Sequence, residues 1–148
     1  DAFVMKLDTN GNLVWLTQLG QVTRTQTGNN VGNDECHGVS TDSDGNVYCA
    51  GFTEGSIGEA NAGEVDAFVM KLDNSGDLKW LTHFGDVTTA PDGSNTSNDQ
   101  CYGISVDSSG NVYCGGETDR MGEINGSPSS PTPDAFILKL EPDGIFNP

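Results

Sequence analysis

The sequence predicts an all-β fold built from tandem copies of a small four-stranded antiparallel sheet, and three observations carry that prediction. "DAFVMKLD" at 1–8 returns letter for letter at 66–73 and, softened to "DAFILKLE", at 134–141. Apolar runs are short and are separated by Gly, Asn, Asp, Ser and Thr, with 20 Gly in 148 residues, which is turn chemistry rather than helix chemistry. Apolar residues also fall on both alternation classes of a run, Phe3, Met5 and Leu7 against Ala2 and Val4, so each sheet is expected to be covered on both faces.

Each element follows from its own stretch. "DAFVMKLD" and "NLVWLT" are joined by "TNG", and their second copies by "NSG", so 1–19 and 66–85 read as β-hairpins whose Gly supplies the turn's positive φ. "CHGVST" and "NVYCAGF" are joined by "DSDG", which gives the other hairpin of the unit. The unit repeats throughout: 1–20 and 66–85 share 14 of 20 residues without a gap, and "NDECHGVSTDSDGNVYCAGFT" (33–53) lies over "NDQCYGISVDSSGNVYCGGET" (98–118), both at an offset of 65. The third copy follows at 68, with the extra length in "SPSSPTP" (127–133). A sheet covered on both sides by copies of itself is a propeller blade or a layer of a stack.

These pieces resemble the bacterial repeats named for the seven-bladed β-propeller, the SBBP repeats, on "DAFVMKLD" with "NGNLVW" and on "GVSTDSDGNVYCAG" and "GISVDSSGNVYCGG". The resemblance implies β-propeller-type blades. It departs at Cys49 and Cys114, where an aliphatic or β-branched residue is usual, and in the longer loops at 21–35, 54–65, 86–100 and 119–133. Phased as in those propellers, 1–19 is an N-terminal half blade, 20–35 a loop, 36–84 a complete blade, 85–100 a loop and 101–148 a second, nearly complete blade. About two and a half blades with open ends cannot close a ring, since propellers take about four or more.

Open ends leave bare faces and strand edges, which invite association. The expected partners are copies of the chain itself or further blades of the same chain, joined head to tail into a ring or a filament. Phe3, Leu7, Leu13 and Trp15 of the N-terminal remnant are the candidate assembly interface, by packing on, or adding edge strands to, a neighbour's terminal blade. Beginning at Asp1 with neither Met nor signal peptide, the chain is expected to be a processed product or a portion of something longer. Net charge is -16, with 22 acidic against 6 basic residues, which repels nucleic acid and anionic membranes. No run approaches the roughly 20 apolar residues of a membrane span.

Four cysteines at repeat spacing, Cys36 with Cys49 and Cys101 with Cys114, read as disulfides of an extracellular or cell-surface protein. Equivalent bonding favours Cys36–Cys49 and Cys101–Cys114. A turn centred on 43–45 sets Cys49 opposite Val39, so that pairing needs a bulge or a bent strand start. The alternative is Cys49–Cys101 between blades, with Cys114 meeting Cys36 of a following subunit.

No cofactor is expected. Calcium is the one alternative considered, because the turns "DTNGN", "DSDGN", "DNSGD" and "DSSGN" faintly echo a calcium loop and Glu54, Glu59, Glu64 and Asp66 offer oxygens along one stretch. Plain turns and a solvated acidic loop account for both. His37 and His83 are single and non-equivalent and belong to no catalytic motif. Trp15 and Trp80 share a repeat position and read as packing residues between layers, with carbohydrate stacking as the minority reading. Asn95 in "NTS" and Asn125 in "NGS" fit the glycosylation sequon.

The functional expectation is a non-enzymatic extracellular repeat protein whose blades self-associate head to tail into a filament or surface scaffold. The competing expectation is a fragment of a closed secreted propeller that binds glycan or protein through its long loops.

Overall fold

The computed structural model describes residues 1–20, 32–55, 57, 65–85, 97–118 and 133–146. These form nine strands: β1 (Ala2–Leu7), β2 (Leu13–Leu19), β3 (Asp34–Thr41), β4 (Val47–Thr53), β5 (Asp66–Leu72), β6 (Leu78–Phe84), β7 (Asp99–Val106), β8 (Val112–Thr118) and β9 (Asp134–Leu140). They pair in three antiparallel sheets, β1-β2, β3-β4-β5-β6 and β7-β8-β9. The fold is all-β as the alternation predicts, and among the described residues a four-stranded sheet is present in β3–β6, between one of two strands and one of three. β3 and β7 begin inside 20–35 and 85–100, stretches read as loops from their polar composition.

Tight turns join β1 to β2, β3 to β4, β5 to β6 and β7 to β8. In four of them an aspartate, Asp8, Asp42, Asp73 or Asp107, accepts the backbone N–H groups two and four residues on through Oδ1, at 2.8–3.1 Å. That geometry satisfies the turn's backbone donors locally.

The sheets stack in chain order through two apolar layers. Ala2 and Val4 of the first sheet meet Phe68, Met70 and Leu72 of the second. Ala67 and Val69, on the opposite face of the second sheet, meet Phe136, Leu138 and Leu140 of the third. Alternation along one strand thus sends its two residue sets to two different neighbours, which is why "DAFVMKL" is apolar at almost every position. β7 lies against β3, and Gly38 permits the approach: a Cβ there would sit 3.2 Å from Ile104 Cγ2. A parallel bridge, Val65 with Asn98, ties the second sheet to the third.

Candidate functional site

The repeated feature that can act is the contact of one sheet with the next. Trp15 on β2 donates its indole N–H to the Asn74 carbonyl at 3.0 Å, and the Thr17 hydroxyl donates to the Gly76 carbonyl at 2.6 Å. One repeat later, Trp80 donates to the Pro142 carbonyl at 3.2 Å and Thr82 to the Gly144 carbonyl at 2.8 Å. A Trp-x-Thr outer strand therefore grips the β-turn of the following sheet. Gly76 (φ 89) and Gly144 (φ 85) are buried under the indoles, and an added Cβ would come within 2.8 Å of Trp15 and 2.6 Å of Trp80. Gly11 (φ 83) is the same turn residue in the first sheet, is exposed, and has nothing within 4 Å of its Cβ direction.

The two outermost faces repeat the buried ones residue for residue. Phe3, Met5 and Leu7, half exposed at 56, 50 and 47%, are the counterparts of Phe68, Met70 and Leu72, each 0% exposed. Ile137 (78%) and Tyr113 (36%) stand where Val69 and Tyr48, both 0%, stand one repeat earlier. Leu13, Val14 and Leu16 on β2 are exposed as well, and a cleft of about 550 Å³ lies beside β1, lined by Phe3, Met5, Leu7, Val39 and Val47. Of the four residues singled out for assembly, Phe3, Leu7 and Leu13 are exposed, whereas Trp15 is half-buried in the contact within the chain.

Both disulfides join neighbouring strands of one sheet, Cys36–Cys49 and Cys101–Cys114, with Cα separations of 5.9 and 6.1 Å. Cys49 is opposite Val39 as the turn dictates, and the bulge that the pairing requires is present at His37, between Cys36 and Gly38. Tyr102 is its counterpart between Cys101 and Gly103. The two bulged side chains stack across β3 and β7 at 5.6 Å between ring centroids. Opposite each bulge Gly51 and Gly116 admit a carbonyl: a Cβ would fall 1.7 Å from Glu35 O and 1.8 Å from Gln100 O.

The carboxylates are engaged in the fold. Asp8 is held below the ordinary carboxylate range first by the Asn12 side chain and then by backbone N–H groups. Asp107 is held down in the same way, first by Asn111, and Asp73 first by the Lys79 ammonium at 2.6 Å. Burial pushes Asp42 up, but hydrogen bonds from Asn46, Tyr48 and Asp44 outweigh it and leave its pKa lowered. Tyr48 in turn is driven far above the usual phenol range by burial and by the Asp42 carboxylate. The Asp34 and Asp99 carboxylates, both buried, accept hydrogen bonds from Thr53 and Thr118.

Glu54 accepts the Asn33 backbone N–H at 3.0 Å and its side-chain amide at 3.3 Å. Asp66 is buried, with His83 Nδ1 3.9 Å away, while Glu59, Glu64, Asn95 and Asn125 lie outside the described residues. Among the described residues no group of three or more His, Cys, Asp or Glu is placed to hold a metal ion, and there is no helix long and apolar enough to cross a membrane. His37 pairs with Glu35 at 3.1 Å.

Three points escaped sequence reasoning: the Trp-on-glycine contact, the Asp–Thr pairs, and the exposed Met5, Tyr113 and Ile137. The first two had a signal in the repeat, since the W-x-T, the turn Gly and the N-D to T pairing all recur at fixed offsets.

A chain of stacked antiparallel sheets, each locked to the next by the same outer strand, defines an all-β repeat protein. The SBBP family, described as a beta-propeller repeat, matches residues 14–59 and 80–120, more than half of the chain, and the chain belongs to that family. No curated protein matches it.

Proposed function

We propose that the chain is a non-enzymatic structural repeat unit, working outside the cell, whose terminal sheets dock on copies of themselves head to tail. One observation carries the reading: the two exposed faces have the composition and position of two faces that already bury one another within the chain. A heterologous contact of that kind repeats without limit unless its rotation closes a ring. The paired disulfides support an oxidising compartment.

Magnitudes set what the contact needs. Finishing the burial of Phe3, Met5 and Leu7 stabilises by about 1 kcal/mol each, which falls short of an association cost of about 4 kcal/mol or more. Leu13, Val14 and Leu16 on one side and Tyr113 and Ile137 on the other supply the remainder.

Mass measurement across protein concentration, by light scattering and negative-stain imaging, tests the reading. The expected result is a mass above 15.5 kDa that grows with concentration, and loss of that growth in Met5→Lys and in Ile137→Lys. A monomer at every concentration refutes it. That outcome supports the alternative of a closed secreted propeller, in which further repeats of a longer chain cover both faces and the loops meet glycan or protein. The uncovered turn at Gly11 favours this second reading, because covering it takes another outer strand carrying Trp-x-Thr.

A further inference from the structure

The geometry points to a saccharide-binding cleft at the seam between the second and third sheets, where the β3–β4 turn meets the β7–β8 turn, selective for a neutral ligand rich in hydroxyls. Both walls lie inside the chain, and the site does not depend on how copies of the chain meet.

The cleft measures about 390 Å³, within the roughly 300–1,000 Å³ of small-molecule sites. Its shape is set by the grip of one sheet on the next. Pro142, on its wall, is the residue whose carbonyl takes the Trp80 indole N–H at 3.2 Å. Gly110 gives the Pro142 ring its room, since a Cβ there would meet it at 3.4 Å.

Hydrogen bonding sorts the polar groups of the lining. Asp42 Oδ1 accepts the backbone N–H groups of Asp44 and Asn46 at 3.0 and 2.9 Å, and Oδ2 accepts the Asn46 amide and the Tyr48 hydroxyl at 2.8 and 2.9 Å. Asp107 is filled in the same way by Ser109, Asn111 and Tyr113. Four bonds saturate a carboxylate, so neither aspartate has a lone pair left for a ligand. The Asp44 carboxylate and the hydroxyls of Ser43, Ser108 and Ser109 also face the cleft, and among the described residues they make no hydrogen bond.

Charge then selects the visitor. Asp42, Asp44 and Asp107 outnumber Lys71, so an anion is repelled. A cation finds its place taken, because Lys71 Nζ already lies 3.9 Å from Asp42 Oδ2 and 5.1 Å from the centre of the Tyr48 ring. At 3.9 Å that ion pair is too long for a hydrogen bond, and the ammonium keeps N–H groups to give. One free carboxylate, three hydroxyls and an ammonium suit a ligand whose neighbouring groups both donate and accept. Val106 and Pro142 add an apolar surface for C–H groups. A sugar ring combines the two, with adjacent hydroxyls donating to Asp44 and a ring substituent oxygen accepting from Lys71. So few contacts hold one ring with a Kd on the order of 1 mM.

Saturation-transfer NMR observes the ligand and works on monomer and assembly alike. The probes are the methyl glycosides of glucose, galactose and mannose. The expected result is saturable transfer to at least one of them, with a Kd at least tenfold higher in Asp44→Ala and in Lys71→Met. Asp44→Ala removes no hydrogen bond of the fold, so its melting temperature should match that of the unsubstituted chain. Ser75→Ala, in the β5–β6 turn and outside the cleft, should bind as the unsubstituted chain does. Absence of transfer to all three sugars overturns the proposal, and so does equal affinity in Asp44→Ala. Methylguanidinium serves as the cationic probe, and saturable binding of it without binding of any sugar overturns the saccharide in favour of a basic partner. Each of these failures leaves the docking reading standing, because that reading is judged by mass.

Discussion

Replacing Gly76 by alanine separates the two physical contributions at the contact between sheets. Gly11, Gly76 and Gly144 share one turn conformation, with φ of 83, 89 and 85°. A Cβ in that left-handed region costs about 1–2 kcal/mol, offset in part by the stiffer unfolded chain, so Gly11→Ala, with open space around it, destabilises by about 1 kcal/mol. Gly76→Ala carries the same strain and in addition drives a methyl to 2.8 Å from Trp15 Cδ2. Overpacking of that kind adds about 1–3 kcal/mol, for about 2–4 in all. Gly144→Ala, at 2.6 Å from Trp80, should match it. In a Trp15→Ala background the cost of Gly76→Ala should fall back to that of Gly11→Ala, a coupling of about 1–3 kcal/mol. Urea unfolding followed by circular dichroism measures all of these. Equal destabilisation by Gly11→Ala and Gly76→Ala would refute the reasoning.

Removing one disulfide as Cys36→Ala with Cys49→Ala, a sequence separation of 13, should destabilise by about 3 kcal/mol. Peptide mapping without reduction should recover Cys36–Cys49 and Cys101–Cys114, and a Cys49–Cys101 peptide would contradict the register of β3 with β4. Gly51→Ala places a methyl 1.7 Å from the Glu35 carbonyl and should destabilise by about 3 kcal/mol, with amide exchange accelerated first in β3 and β4. Asp8, Asp42, Asp73 and Asp107 all titrate lower in the fold than the ordinary 3.8. Their contribution is therefore complete above that value and is lost as pH falls through it towards the lower folded values. The melting temperature should hold level from about pH 7 to 5 and drop below about pH 4, the Asp42→Asn variant dropping less, and a melting temperature that rises on acidification would show the turn carboxylates to be otherwise bound.

Much of this was legible because it is local. An Asp with Gly three residues on closes a tight turn from its own side chain, and alternation along "AFVMKL" marks a strand with two buried faces. Counting back from the turn set Cys49 opposite Val39, so a Cys36–Cys49 bond needed a bulge or a bent strand start, and the fold supplies the bulge at His37. The fate of Trp15 was less legible. As a large aromatic it suited both packing between layers and assembly, and only the fold puts its indole over Gly76. The acidic stretch around Glu54 suggested ligands, yet its carboxylate is taken by Asn33, 21 residues earlier.

The sequence by itself determined the repeat, the strands, the turns and the two-faced character of each sheet, because these follow from side-chain period and backbone freedom over a few residues. Tertiary structure alone decided which face meets which neighbour, which turn glycine lies under a tryptophan, and which three of the nine "Phe, Met or Leu" positions of the shared motif stay exposed. Those outcomes depend on contacts 59 to 62 residues apart in the chain, between segments whose local patterns are the same. Identical strands end differently, Phe68 buried and Phe3 bare, because burial belongs to the neighbour a strand has and not to the strand.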